Sequence, residues 1–306
     1  MNQQRIILVT GATGAQGGSV ARALLSNKKF SIRILTRNKY SANAIALQQA
    51  GAEVIEGSYD DMAVLKQAMQ GVYGVFGVTS YHEHAEKEYQ HGKNIIDAVK
   101  ASDIKHFVLS TSTGYYSLSN GQYAVPQHDI KAALQEYAKN QQLPVTFVQL
   151  SFYYENFFSQ YPLQRDEEGR YFFGLPQGDT PLAAVSVEDA GAVVATIFDH
   201  PRAYTGRTVR IVGENITCKE YAAIMADVLE QPVYYKYIPR EKFAVTYAKE
   251  VANMFEVQRL FISNRQLDLI ESYGLNPRMQ PFKNWVTKNK EKIIQQYAMQ
   301  QQVAVA

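Results

Sequence analysis

The stretch "ILVTGATGAQGGSV", residues 7–20, decides the fold. It begins as a strand-like apolar run and breaks into small residues, with Gly11, Gly14 and Gly17 spaced three apart. A strand that passes through G-x-x-G-x-x-G into a helix gathers backbone amides at a helix N-terminus, and both features favour a phosphate group. In that geometry Gly11 permits the tight turn, Gly14 lets a pyrophosphate approach the backbone, and Gly17 lets the helix pack closely on the strand. A glycine-rich turn with no ligand is the alternative. The loop lacks a Walker lysine-plus-hydroxyl ending, which disfavours a P-loop NTPase.

Working outward, strand-like runs at 5–10, 30–36, 52–57, 72–79, 106–111 and 145–150 alternate with helix-length segments. In those segments apolar residues recur every three or four positions, as at Val64, Leu65, Ala68 and Met69. Such alternation requires crossovers, so the pattern predicts an α/β, Rossmann-type doubly wound parallel sheet over residues 1–150, binding ligands beyond the carboxyl ends of its strands. Beyond residue 151 the pattern is less regular. "SVED" (186–189) and "TCKE" (217–220) read as capping boxes, and a terminal helix runs through 282–298. We expect residues 151–306 to form a smaller α+β lobe completing the cleft, with some segments returning to the sheet and residues 300–306 as a frayed tail.

With 306 residues, 46% of them hydrophobic, the chain can bury a substantial core. Its formal net charge of +2 gives no electrostatic footprint for nucleic acid or an acidic membrane surface. The single cysteine, Cys218, excludes an internal disulfide and fits a reducing compartment. Neither a secretory leader nor an apolar run of membrane-spanning length is present, so a cytoplasmic location is expected.

About twenty residues past the glycine loop, NAD binders usually carry an acid that accepts from the adenosine ribose hydroxyls. Here the chain reads Thr36-Arg37-Asn38-Lys39, two cations and no acid. That suits the extra phosphate of NADP, to which a guanidinium can make two parallel bonds, and favours NADP(H) over NAD(H). An ordinary solvated turn is the competing reading.

The segments "VTGATGAQGGSVARALL", "ILTRN", "VFGVTSY", "SFYYENFF", "GDTPLAAVSVEDAG" and "ANMF" together resemble the NmrA-like group of atypical short-chain dehydrogenase/reductase proteins, especially its nucleotide-sensing members. The resemblance runs from about residue 5 to about residue 290. It implies a Rossmann domain, a small carboxyl-terminal lobe and NADP(H) in the cleft. It assigns Gly11, Ala12, Thr13, Gly14, Ala15 and Gln16 to the pyrophosphate loop and Arg37, Asn38 and Lys39 to the adenosine phosphate. It sets Ser58 and Tyr59 beside adenine, and Thr79, Ser80 and Tyr81 beside the nicotinamide-side ribose. Lys131 falls at the ribose hydroxyls, and Tyr153, Tyr154, Glu155 and Asn156 around the nicotinamide end. One departure is visible: Gly57-Ser58 stands where relatives often have Gly-Asp.

In active short-chain dehydrogenases a tyrosine four residues before the lysine exchanges the proton that accompanies hydride transfer. Four before Lys131 is Gln127, whose amide cannot do that work. Ser110 and Thr111 could orient a carbonyl or be ordinary strand-end hydroxyls, and Tyr115, Tyr116 and Tyr123 are candidate substitutes in the next loop. Two readings follow. One is a nucleotide-responsive regulator whose candidate partners are a dinucleotide, a protein and a second copy of the chain in a homodimer, with Lys131 retained as a cation. The other is an NADPH-dependent reductase of a quinone or other small electrophile, with Lys131 as its candidate catalytic residue.

"YHEHAEKEYQH" holds His82, His84 and His91 among Glu83, Glu86 and Glu88. We read it as an acid-rich helix start with histidines on a solvated face and expect no metal. Cys218 reads as a small residue in a capping segment, and Lys283, Lys288, Lys290 and Lys292 as a solvated face.

Overall fold

The computed structural model describes residues 4–262 and 264–304. Its strands are β1 (Ile6–Thr10), β2 (Ser31–Thr36), β3 (Glu53–Glu56), β4 (Val72–Gly77), β5 (His106–Ser110), β6 (Val145–Leu150), β7 (Phe152–Tyr153), β8 (Gln164–Arg165), β9 (Tyr171–Leu175), β10 (Leu182–Val185), β11 (Thr208–Ile211), β12 (Glu214–Ile216) and β13 (Val233–Tyr237). The helices that matter to the site are α1 (Ala15–Asn27), α2 (Ala42–Gln49), α3 (Met62–Ala68), α4 (Tyr81–His84), α5 (Glu88–Lys100), α6 (Tyr115–Leu118), α7 (Pro126–Asn140) and α8 (Val187–Asp199). The chain divides into two compact units.

The first unit comprises residues 1–150, 187–211 and 271–277. It is built on a seven-stranded sheet of order β11-β6-β5-β4-β1-β2-β3 in which every pairing is parallel. This is the doubly wound α/β fold anticipated from strand–helix alternation, with the strand order reversing between β1 and β4. A parallel sheet must be covered on both faces, and alternation along β4 shows how. Val75 joins a core made with Leu65 of α3, Ile95, Ile96 and Val99 of α5, and Leu134 of α7. Its neighbour Gly74 belongs to the opposite face, where an added Cβ would come within 2.9 Å of the Phe198 ring of α8.

Helices α1 and α8 pack together through small residues. A Cβ on Gly191 would lie 2.3 Å from the Ser19 carbonyl oxygen. The Ser19 hydroxyl donates to Glu188 O (2.9 Å) and accepts from Gly191 N (3.1 Å), so the crossing is hydrogen-bonded as well as close.

The second unit comprises residues 151–186, 212–270 and 278–306. It contains two three-stranded sheets, of order β12-β10-β7 and β13-β9-β8. Both are mixed: β7 runs parallel and β12 antiparallel to β10, while β13 runs parallel and β8 antiparallel to β9. Its core is aromatic, with Tyr154, Phe157, Tyr221 and Phe282 fully buried and ring centroids 4.8–5.4 Å apart. Thr217 caps the helix Cys218–Leu229 through a complete capping box with Glu220. The Cys218 thiol is buried and its pKa pushed up by desolvation, which suits packing rather than reactivity. The last helix runs Phe282–Ala304, longer than sequence periodicity suggested; residues 305 and 306 of the expected tail lie outside the described residues. Among the described residues no helix is long and apolar enough to cross a membrane.

Candidate functional site

The site is built on the first unit, at the carboxyl ends of β1, β2 and β4. Thr10 ties two of those ends together, because its hydroxyl accepts from Val78 N (3.0 Å) and donates to Phe76 O (3.2 Å). The chain then turns at Gly11, whose φ of +59° favours glycine and whose added Cβ would meet a Val78 methyl at 2.7 Å. A Cβ on Gly17 would lie 2.3 Å from Gly11 O and 2.6 Å from Thr10 O, so only glycine lets α1 begin here. Gly14 differs. An added Cβ there meets only Gly11 O at 3.4 Å, so the outer side of the turn is open. Gly14 and Ala15 are exposed, Gly14 caps α1 without a side-chain hydrogen bond, and the first turn carries no acid. An open helix N-terminus with no acid in its first turn is the kind of place that suits a diphosphate.

Other members of the loop are held from beneath. The Tyr59 hydroxyl accepts from Gly11 N at 2.7 Å, and burial raises its pKa, so it stays protonated. Tyr59 therefore braces the glycine turn from below. Ala12 is buried, Thr13 O accepts from the Asn43 side chain (2.8 Å), and Gln16 Oε1 accepts from the Ser110 hydroxyl (2.6 Å). Ser58 sits at the start of the turn into α3, accepting from Asp60 N at 3.2 Å.

At the end of β2 a cavity of ≈ 330 Å³ is lined by Thr13, Thr36, Arg37, Asn38, Ser41, Ala42 and Asn43. The N-terminus of α2, capped by Ser41 on Ala44 N, opens beside it. Arg37, Asn38 and Lys39 are exposed here. Both cations carry carboxylate partners from elsewhere in the chain. Arg37 Nη2 donates to Glu83 Oε2 (2.5 Å) and Nη1 meets His84 Nε2, while Lys39 Nζ lies 3.3 Å from Glu56 Oε2. Neither pairing has a local signal, since Glu83 is 46 residues from Arg37.

Where β4 ends, Thr79, Ser80 and Tyr81 lead into α4, with Ser80 at its N-cap. The Thr79 hydroxyl donates to Glu88 Oε1 (2.7 Å). Lys131 of α7 donates to the same Oε1 (2.6 Å) and lies 3.1 Å from both Thr79 O and Thr79 Oγ1. Glu88 is 0% exposed and Lys131 largely covered, and Glu88 Oε2 is buried with no partner. The acid-rich stretch does open helices, α4 with Glu83 and α5 with Glu88 in their first turns. The expectation that its histidines lie on a solvated face is corrected at His91, which is buried. Glu88 is the counter-charge of Lys131, and His91, also buried, approaches Asp60 at 3.2 Å. The side chain of His82 lies outside the described residues. No group of three His, Cys, Asp or Glu able to hold a metal occurs among the described residues.

From Ser110 to Thr113 every hydroxyl is engaged. Ser110 is bound to Gln16, and Thr111 donates to Gln135 Oε1 (2.7 Å). Ser112 meets His128 Nδ1, and Thr113 donates to Gln149 Oε1 (3.0 Å). Tyr115 stacks on the His128 ring at 4.2 Å, and burial together with the Lys131 charge lowers the His128 pKa to about 3. Tyr116 is exposed on α6 and Tyr123 half-buried. Gln127 occupies the position four before Lys131, one turn of α7 away.

Tyr153, Tyr154, Glu155 and Asn156 belong to the second unit. Tyr154 is fully buried among Phe282 and Trp285, which makes its ring part of that unit's core rather than a cleft wall. Glu155 accepts from the Ser186 hydroxyl at 3.0 Å.

The chain is 34% identical over 241 residues to an NmrA-like family domain-containing oxidoreductase, notA, of an Aspergillus species, an alignment covering 72% of this chain and 71% of that protein. Its fold is similar to that of NmrA, a negative transcriptional regulator solved in complex with NADP, with TM-score 0.81, 21% identity, and coverage of 97% and 98% of the two chains. It is also similar to that of the NADPH-dependent quinone oxidoreductase QOR2 of Escherichia coli, solved with NADPH, with TM-score 0.74, 20% identity, and coverage of 95% and 99%. The model of the NmrA-like family matches residues 3–277, and the chain belongs to that family.

Proposed function

We propose that the protein binds NADP(H) in preference to NAD(H) and acts as a nucleotide-responsive regulator. The diphosphate would sit on Gly11 to Gln16 and the adenosine 2′-phosphate at Arg37 to Lys39. The nicotinamide-side ribose would face Thr79 to Tyr81 and Lys131. Support for the dinucleotide comes from the open side of Gly14 against an uncapped helix N-terminus, and from the NADP and NADPH held by proteins of the same fold.

The observation that carries the regulatory reading is the fate of the proton-transfer pair. Gln127 replaces the tyrosine, and the Lys131 ammonium already has three acceptors, Glu88 Oε1, Thr79 O and Thr79 Oγ1. A lysine so engaged holds ribose or structure, and the position one helical turn before it carries no phenol for it to activate. Nucleotide occupancy can act on a partner only through unequal affinity for two states of the protein. The test is calorimetry with NADPH and NADH, followed by partner capture, oligomer sizing and limited proteolysis with and without saturating NADPH. Binding with none of the three readouts changed would overturn the regulatory role.

A second reading, reduction of a quinone or similar electrophile, is favoured by the oxidoreductase name of the 34%-identical relative. Bound NADPH supplies the hydride, and an acceptor that takes it directly needs no tyrosine. Loss of NADPH absorbance with a quinone panel, abolished by Gly14→Asp, would establish it.

A further inference from the structure

We infer that Glu83 is an internal competitor for the 2′-phosphate at Arg37, and so sets the discrimination between NADP(H) and NAD(H); this rests on the dinucleotide reading above. The end of β2 carries no acid of its own, which is why the local sequence points to NADP(H). The fold supplies one from α4. Glu83 Oε2 and His84 Nε2 occupy Nη2 and Nη1 of Arg37, the same fork that would grip a phosphate through two parallel bonds. Lys39 is committed as well, its side chain to Glu56 Oε2 and its backbone amide to Glu56 Oε1 at 3.2 Å. Two cations and two carboxylates leave the cluster formally neutral.

A phosphate dianion cannot share the Arg37 fork with a carboxylate, because like charges at that distance repel strongly. It must displace Glu83. The 2′-hydroxyl of NAD(H) makes no such demand, since a hydroxyl can donate to a carboxylate. Displacement is feasible because the pair is exposed on both sides, with 57% and 56% of the side chains accessible. Exposed pairs of this kind contribute only ~1 kcal/mol at most. Glu83 therefore tunes the site and does not block it. Four residues along the chain separate Glu83 from Glu88, which is bonded to Lys131.

The test is calorimetric titration of the full chain with NADPH and NADH for the unmodified protein, Glu83→Gln, Arg37→Gln and the double variant. Glu83→Gln should tighten NADPH about fivefold, the factor matching ~1 kcal/mol, and leave NADH within about twofold. In the Arg37→Gln background the same change should have no effect on NADPH. Glu83→Ala, which also removes the carboxylate, should reproduce the altered ratio. Equal changes for both nucleotides, no change for NADPH, or persistence of the effect without Arg37 would overturn the role of Glu83 while leaving the dinucleotide reading intact. Absence of binding by every variant and by the unmodified protein would overturn both.

Discussion

At the scale of single residues, His106 is fixed in one protonation state by its neighbours. Thr146 donates its only hydroxyl proton to Tyr204 O (2.9 Å), so it must accept from His106 Nε2 at 2.8 Å. The ring therefore carries its proton on Nε2, and Nδ1 is left buried without a partner. Desolvation lowers its pKa to about 4. The unfolded chain binds a proton near pH 6.5 and the folded protein does not, so the stability this group contributes is present above pH 6.5 and is lost as pH falls toward 4. His128, with its pKa near 3, acts in the same direction. Urea unfolding from pH 7 to pH 4.5 should show falling stability, and His106→Gln should reduce the slope by up to about 1.4 kcal/mol per pH unit. An unchanged slope would mean that the ring is solvated. Gly14 is the matching residue for binding. Gly14→Asp sets a carboxylate where the diphosphate would lie and should weaken NADPH by more than about tenfold, read by calorimetry, without lowering the melting temperature.

At the scale of elements, two contacts hold the site's framework. One joins α5 and α7 through Glu88 and Lys131. Removing one member of a buried pair leaves an uncompensated charge, so Lys131→Met should destabilise by about 3–5 kcal/mol. The double variant Glu88→Met/Lys131→Met should recover most of that loss, because a buried ion pair is often replaceable by apolar groups. Additive losses in urea unfolding would show that the two side chains act independently. The other contact is the crossing of α1 and α8. Gly191→Ala drives a Cβ to 2.3 Å from Ser19 O, so the helices must separate at a cost of about 1–3 kcal/mol. Gly274→Ala, with nothing within 4 Å, is the control and should be neutral or slightly stabilising in the same thermal melt.

At the scale of the whole molecule, the first unit is discontinuous in sequence. A fragment ending at Leu150 lacks α8, which buries Val193, Val194, Ile197 and Phe198, and lacks β11, which pairs with β6. The sheet face over β4 and β5 would lose the cover of α8, and β6 would become an open edge. Expressed alone, residues 1–150 should aggregate or show no cooperative melt by circular dichroism. A cooperative, soluble fragment would show that the returning segments are dispensable.

The sequence by itself determined the parallel sheet, its glycine turn and the exposed Arg37 to Lys39 stretch, because strand–helix periodicity, turn chemistry and local charge are written within a few neighbouring residues. Loss of the tyrosine at Gln127 was legible for the same reason, as a fixed spacing from Lys131. Only the tertiary structure decided what those residues touch. It brought Glu83 to Arg37 across 46 residues and Glu88 to Lys131 across 43, turned Tyr154 into core, and set β11 beside β6. Pairing over such separations follows from how the crossovers stack strands that are distant in the chain. No local pattern of charge or apolarity encodes it.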